Sequence, residues 1–148
     1  MEYPALLKAG MHDMTLLDMK NICVDAFNDS ERREILFSRL KSYIGQFEEF
    51  SLDMEIWIDG SFVTKKINPS DIDLVVIFDE KSVNALSSEE QNTLKQLFEK
   101  ETIKIRYECD VYFIPNRIDD KSYWRGMFGF DKNENPKGII RLNIKGNL

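Results

Sequence analysis

Histidine is nearly absent from this chain: His12 is the only one among 148 residues. That excludes zinc sites built on several imidazoles and every histidine-dependent nucleophilic triad. Cysteine is almost as scarce. Cys23 and Cys109 are the only two and lie far apart in sequence, which makes no disulfide framework, so both read as reduced thiols in a cytoplasmic protein. No apolar run approaches the roughly 20 residues that span a bilayer, so no membrane partner is expected. The first residues, MEYPALLKAGMHDMTLL, show no basic segment followed by an unbroken apolar stretch and do not read as a signal peptide. Surplus positive charge is also missing. A net charge of −6 argues against a broad basic face for nucleic acid, while leaving room for a local phosphate site. Repeats, low-complexity tracts and long linkers are absent too. Any chemistry must rest on carboxylates, lysines, hydroxyls and a borrowed metal ion.

What is present suits one α/β domain over residues 1–148, with 43% hydrophobic and 31% charged residues, enough for a core without staples. Residues 1–52 read as an N-terminal helical segment after a loosely structured lead-in to Thr15. Leu16 to Phe27 has roughly helical spacing. From Glu31 to about Phe50, Leu36, Leu40, Tyr43, Ile44 and Phe47 share one face, capped by Asn28-Asp29-Ser30. Arg32 and Arg33 are assigned to its solvated face. Residues 53–115 hold strands at Met54–Ile58, Asp71–Phe78 and Ile103–Ile114, and a helix opened at Ser87 by a capping box with Glu90 and running to about Lys100. Residues 116–148 are expected to end in a hairpin, Met127–Phe130 and Gly138–Ile144, around the polar loop 131–137.

The stretch Ile56–Phe78, IWIDGSFVTKKINPSDIDLVVIF, is where chemistry concentrates. An apolar strand ends at Asp59-Gly60-Ser61, and a polar link leads to Asp71-Ile72-Asp73 at the mouth of the next strand. Side chains two apart in a strand share a face, so Asp71 and Asp73 point the same way with Cα atoms roughly 6.5 Å apart. Two such anions repel unless a cation lies between them. Mg²⁺ answers this, since it takes oxygen ligands from one or two carboxylates plus substrate phosphates. A third carboxylate is sought on the later strand, where Glu108, Asp110 and Tyr112 share a face. Asp110 is favoured because it lies deeper among apolar neighbours, and Glu108 is held in reserve. Lys65 and Lys66 in the link can neutralise phosphates, and Lys137 and Arg141 lie near the terminal hairpin. Trp57 and Trp124 read as packing residues.

An apolar strand, Gly-Ser opening a short helix, then Ser-Asp-x-Asp at the next strand and a third Asp later form one pattern. Gly60-Ser61, Ser70-Asp71-Ile72-Asp73 and Asp110 follow it. In this the chain resembles the polymerase-beta-like nucleotidyltransferase superfamily over about Ile56–Ile114, and within it the minimal bacterial enzymes often found in toxin–antitoxin pairs. The C-terminal Pro136–Arg141 is similar to an uncharacterised bacterial and phage branch. Relatives often carry Arg and Gly after Gly-Ser, whereas Phe62-Val63-Thr64-Lys65-Lys66 follows here.

The resemblance implies an α+β fold, with a small mixed sheet and flanking helices. It also implies a metal-dependent transfer of a nucleoside monophosphate from a nucleoside triphosphate to a hydroxyl of RNA, of a protein side chain or of a small molecule. Asp71, Asp73 and Asp110 would be the catalytic residues and ligands of Mg²⁺ or Mn²⁺, and Gly60, Ser61, Lys65 and Lys66 would bind the nucleotide. Larger relatives grip base and acceptor with a helical domain that is not expected here. Help is therefore expected from a second subunit, a partner protein or the N-terminal helices. The competing reading is an inactive module that acts by binding a protein, as an antitoxin does.

Overall fold

The computed structural model describes residues 3–28, 30–50, 52–130 and 135–145. Its centre is the pair that the sequence singles out. Strand β2 (Met54–Asp59) runs antiparallel to strand β3 (Ile72–Phe78), and β3 runs parallel to strand β4 (Cys109–Pro115). On the other side, β2 pairs antiparallel with strand β5 (Gly138–Ile144), which pairs parallel with the short strand β1 (Gly10–Asp13). The result is a five-stranded mixed sheet of order β1-β5-β2-β3-β4 with flanking helices, the expected fold class.

Period-two alternation assigns the two faces. Ile56, Ile58, Leu74, Val76, Val111 and Leu142 enter the large core, against helix α2 (Glu31–Phe47) and its neighbours. Trp57, Val75, Ile77 and Ile114 enter a smaller cluster on the opposite face, closed by Phe128 of helix α6 (Ile118–Phe128). Burial on both faces explains why β3 is apolar without alternation. Trp57 is buried there and Trp124 packs on Tyr112 at a ring distance of 4.7 Å, so both tryptophans are packing residues. Among the described residues no helix is long and apolar enough to cross a membrane.

Five local expectations are corrected. The lead-in contains strand β1, formed because β5 offers it a parallel edge; main chain approaches so closely that a Cβ on Gly138 would lie 2.5 Å from the Lys8 carbonyl. The strand expected over Ile103–Ile114 begins as helix α5 (Lys100–Tyr107) and becomes β4 only at Cys109. Parallel β3 and β4 need a crossover, and this helix supplies its last part, burying Ile103 while leaving Ile105 82% exposed. The helix opened by the Ser87–Glu90 capping box, α4 (Ser88–Gln96), stops short of Lys100 after the minor helix α3 (Glu80–Asn84). Leu16–Phe27 divides into helix α1 (Leu16–Lys20) and one π turn, Asn21–Asp25.

The fifth correction is the terminal hairpin. Met127 and Phe128 end α6, whose Trp124 and Phe128 lie one turn apart and cover the sheet, and β5 pairs with β2 and β1 instead. Among the described residues of this region, Phe130 makes an isolated antiparallel bridge to Pro136 of the expected loop. Residues 131–134 of the expected loop lie outside the described residues.

Candidate active site

The strand register aligns carboxylates from three strands. Asp59 ends β2 opposite Asp73 of β3, and Asp73 stands beside Asp110 of β4. Residues paired in register share a face, so Asp59, Asp73 and Asp110 form one acidic row on the sheet face that carries α6. Asp71 lies two residues before Asp73, just outside β3. Neighbouring strands lie about 4.8 Å apart, so the row's charges are held at close quarters. Burial first, then the charges of Asp71, Asp110 and Asp59, push the Asp73 carboxyl up to about 7, with Lys137 acting the other way. Asp59 is 4% exposed and burial raises it too, opposed by the Lys137 ammonium 3.0 Å away.

Glu108 takes no part in this row. It terminates α5 in the left-handed conformation, φ 53°, and its carboxylate is bound by Arg32 at 2.6 Å and Arg39 at 3.2 Å. The register sets Asp110, not Glu108, beside Asp73. Tyr112 follows Asp110 on the same face, but it is covered by Trp124 and by the Lys100 ammonium 3.8 Å from its ring.

Beside the row, Gly60 opens a single 3₁₀ turn, Gly60–Val63, that connects β2 to the polar link. Its φ is +81°, and a Cβ there would lie 2.0 Å from Asp73 Oδ2. Only glycine meets both demands, the left-handed backbone and contact with the carboxylate. Gly60→Ala is expected to destabilise the fold by about 1–3 kcal/mol, as a strained backbone with a displaced neighbour should. Urea denaturation checks this, and a midpoint unchanged from wild type would contradict the close packing of Gly60 on Asp73.

The residues the sequence reading missed lie behind this turn. Arg33, assigned to the solvated face of α2, is 0% exposed. Its guanidinium donates to the carbonyls of Ser61, Phe62, Thr64 and Lys66, and to that of Cys23 in the π turn. Phe27 lies under it, 3.7 Å from ring centre to guanidinium carbon. Five carbonyls take the hydrogen bonds of this cation, its planar fork matched to fixed acceptors. Burial lowers Arg33 to about 10, so it stays charged at neutral pH. One residue earlier, Arg32 holds the carbonyls of Pro69 and Ser70 as well as Glu108. Ser30 caps α2 through the Arg33 amide and donates to the Ile67 carbonyl at 2.7 Å. The first turn of α2 therefore fixes the whole link from Ser61 to Ser70, and with it the spacing from Gly60 to Asp71. A signal existed: Arg33 precedes Leu36 and Leu40 at helical spacing on the apolar face.

A cleft of about 610 Å³ opens over the turn, a volume in the range of small-ligand sites. Asp59, Gly60, Ser61 and Asp73 line its floor, with Lys66 and Lys137 at its sides. Of the two link lysines, Lys66 lines the cleft. Lys65 is exposed and does not line the cleft; its amide donates instead to the Pro4 carbonyl at 2.9 Å. Asp71 and Asp110 also lie outside the cleft lining, so the row meets the cleft at Asp59 and at Asp73, the neighbour of Asp110. Arg141 is turned away from the site into an ion pair with Asp13.

The donor set is one of hard carboxylate oxygens, which suits Mg²⁺ or Mn²⁺ and not a soft metal. Asp73, pushed up to about 7 by burial first and then by neighbouring anions, carries a strain that a divalent cation would relieve. Among the described residues no group of three or more acidic, histidine or cysteine side chains forms a ready-made metal cage. Magnesium bound with a triphosphate draws several of its ligands from phosphate and water, so one or two protein carboxylates suffice.

No curated protein and no solved structure matches this chain. Residues 1–143 match the family of unknown function DUF6932, so nearly the whole sequence, acidic row, Gly-Ser turn and α2 clamp included, is covered, and the chain belongs to that family.

Proposed function

We propose that this protein is a metal-dependent nucleotidyltransferase, of the polymerase-beta-like kind, that moves a nucleoside monophosphate from a nucleoside triphosphate to a hydroxyl of RNA or of a protein. The observation that carries the reading is the register: Asp59, Asp73 and Asp110 side by side, with a glycine turn packed on the central carboxylate. Asp71 and Asp73 would hold the divalent ion, which neutralises triphosphate charge when bound. Gly60 leaves the floor open for phosphate oxygens to approach, and Ser61 adds a hydroxyl donor. Lys66 and Lys137 balance the negative charge of the β- and γ-phosphates. Asp110, on the far side of Asp73 from the cleft, orients the acceptor hydroxyl and takes its proton. The acceptor oxygen then bonds to the α-phosphorus as the bond to the β-phosphate oxygen breaks, and pyrophosphate leaves.

The acceptor is the part this small domain is least equipped to select alone, which suits a partner such as the other member of a toxin–antitoxin or phage-defence pair. The test supplies the full chain with Mg²⁺, RNA and cell extract, and with triphosphates labelled at the α- or the γ-phosphate. Label from the α-phosphate alone should become covalently attached to RNA or protein, and Asp110→Asn should lose it while Glu108→Gln retains most of it. Attachment of γ-label would mean a kinase, and equal loss in Glu108→Gln would reverse the choice of third carboxylate. No attachment of either label would favour the inactive, protein-binding module.

A further inference from the structure

The cleft has an aromatic mouth that phosphate chemistry does not explain. Tyr3 lines one side and Phe130 another, 42% and 47% exposed, with the Lys66 ammonium 5.8 Å from the Tyr3 ring centre. Two large exposed rings from different segments, lining one charged cleft, offer π-faces to whatever occupies it.

Each ring is held by main-chain pairing. On the Tyr3 side, Ala5 bridges antiparallel to Thr64, Leu6 donates to the Val63 carbonyl at 3.0 Å, and Lys65 donates to Pro4. The segment 3–6 is thereby strapped onto the turn that follows Gly60, and the turn itself is locked by Arg33. On the other side, Phe130 bridges to Pro136, and the Lys137 amide donates to the Gly129 carbonyl at 2.8 Å. The same short loop that carries Phe130 thus delivers the Lys137 ammonium to Asp59. The cleft is cationic and acidic at its floor and aromatic at its mouth.

A ligand that complements this profile is anionic at one end and a flat π-system at the other. We infer that Tyr3 and Phe130 form the stacking site for the base of the bound nucleoside triphosphate, one ring contributed from each end of the chain. This rests on the nucleotidyltransferase reading and deepens it by assigning what grips the base. The phosphates lie toward Lys66, Lys137 and Asp73, and the base lies outward between the rings. Stacking uses the π-face that every base offers, so the site tolerates different bases.

The experiment titrates the full-length protein by calorimetry with a non-hydrolysable nucleoside triphosphate and with inorganic tripolyphosphate, both with Mg²⁺. The nucleotide should bind about tenfold more tightly than tripolyphosphate, the affinity a single good base stack adds. Tyr3→Ala and Phe130→Ala should each remove most of that advantage while leaving tripolyphosphate affinity unchanged, and Tyr3→Phe should restore it. A nucleotide that binds no more tightly than tripolyphosphate, or an advantage that survives in both alanine variants, would overturn the stacking site and leave the transferase reading standing. Failure of both ligands to bind would overturn the two together.

Discussion

Asp73→Asn is expected to abolish nucleotidyl transfer, by about a thousandfold or more, and at the same time to make the metal-free protein more stable above neutral pH. Loss of activity follows from removing a carboxylate at which the acidic row meets the cleft. The gain in stability follows from linkage. An unfolded Asp73 titrates near 3.8 and the folded one near 7, raised by burial and by Asp71, Asp110 and Asp59. Between those values the folded state retains a proton that the unfolded state has released. Stability therefore falls as pH rises through that window and stays low above it. An amide has no such charge to lose, so the variant should be the more stable protein at pH 8 by about 1–2 kcal/mol, a few degrees in Tm. Thermal denaturation of both proteins at pH 5 and pH 8 without metal measures it. Wild type should lose more of its Tm between those pH values than the variant does. Equal pH dependence would contradict the electrostatic account of the acidic row.

Arg33→Met is expected to be the most destabilising single substitution in the site region, at about 3–5 kcal/mol, the scale for removing one side of a buried charged network. Methionine keeps much of the volume but leaves the carbonyls of Ser61, Phe62, Thr64, Lys66 and Cys23 facing one another without a donor. Arg33→Lys should fall between, since an ammonium keeps the charge with three donors in place of a five-donor fork. Urea denaturation midpoints order the three proteins. A cost below about 1 kcal/mol for Arg33→Met would show that the link holds its shape without α2.

The parts of the fold legible in the sequence were those where local pattern and tertiary packing agree. β2 and β3 were readable because Met54–Ile58 and Leu74–Phe78 are short apolar runs bounded by Gly60 and by polar residues, and α2 because its apolar face repeats over four turns. β1 was not, since Gly10-Met11-His12-Asp13 has no strand pattern of its own and becomes a strand only because β5 lies beside it. The β-branched content of Ile103 and Ile105 suggested a strand, yet the crossover from β3 to parallel β4 demanded a helix, and tertiary topology outweighed propensity. In the site, carboxylate spacing and the Gly-Ser turn were visible because they are local. The support was hidden because it is remote. Arg33 and Lys66 are far apart in the chain, and charged residues near a helix start default to the solvated face in any periodicity argument. Asp59 was in plain view as part of the turn, but its place in the acidic row depends on register, which one strand cannot disclose. Lys137 was noticed for its charge, and only its ion pair with Asp59 gives it a position.

Calorimetric titration of a non-hydrolysable nucleoside triphosphate into the full chain, with and without Mg²⁺, tests the central claim most directly because it needs no acceptor. The acidic row and the cleft predict binding that requires the metal in wild type, is lost in Asp73→Asn, and persists in Glu108→Gln, whose carboxylate belongs to the Arg32–Arg39 clamp. Binding equally strong without metal, or undiminished in Asp73→Asn, would contradict it.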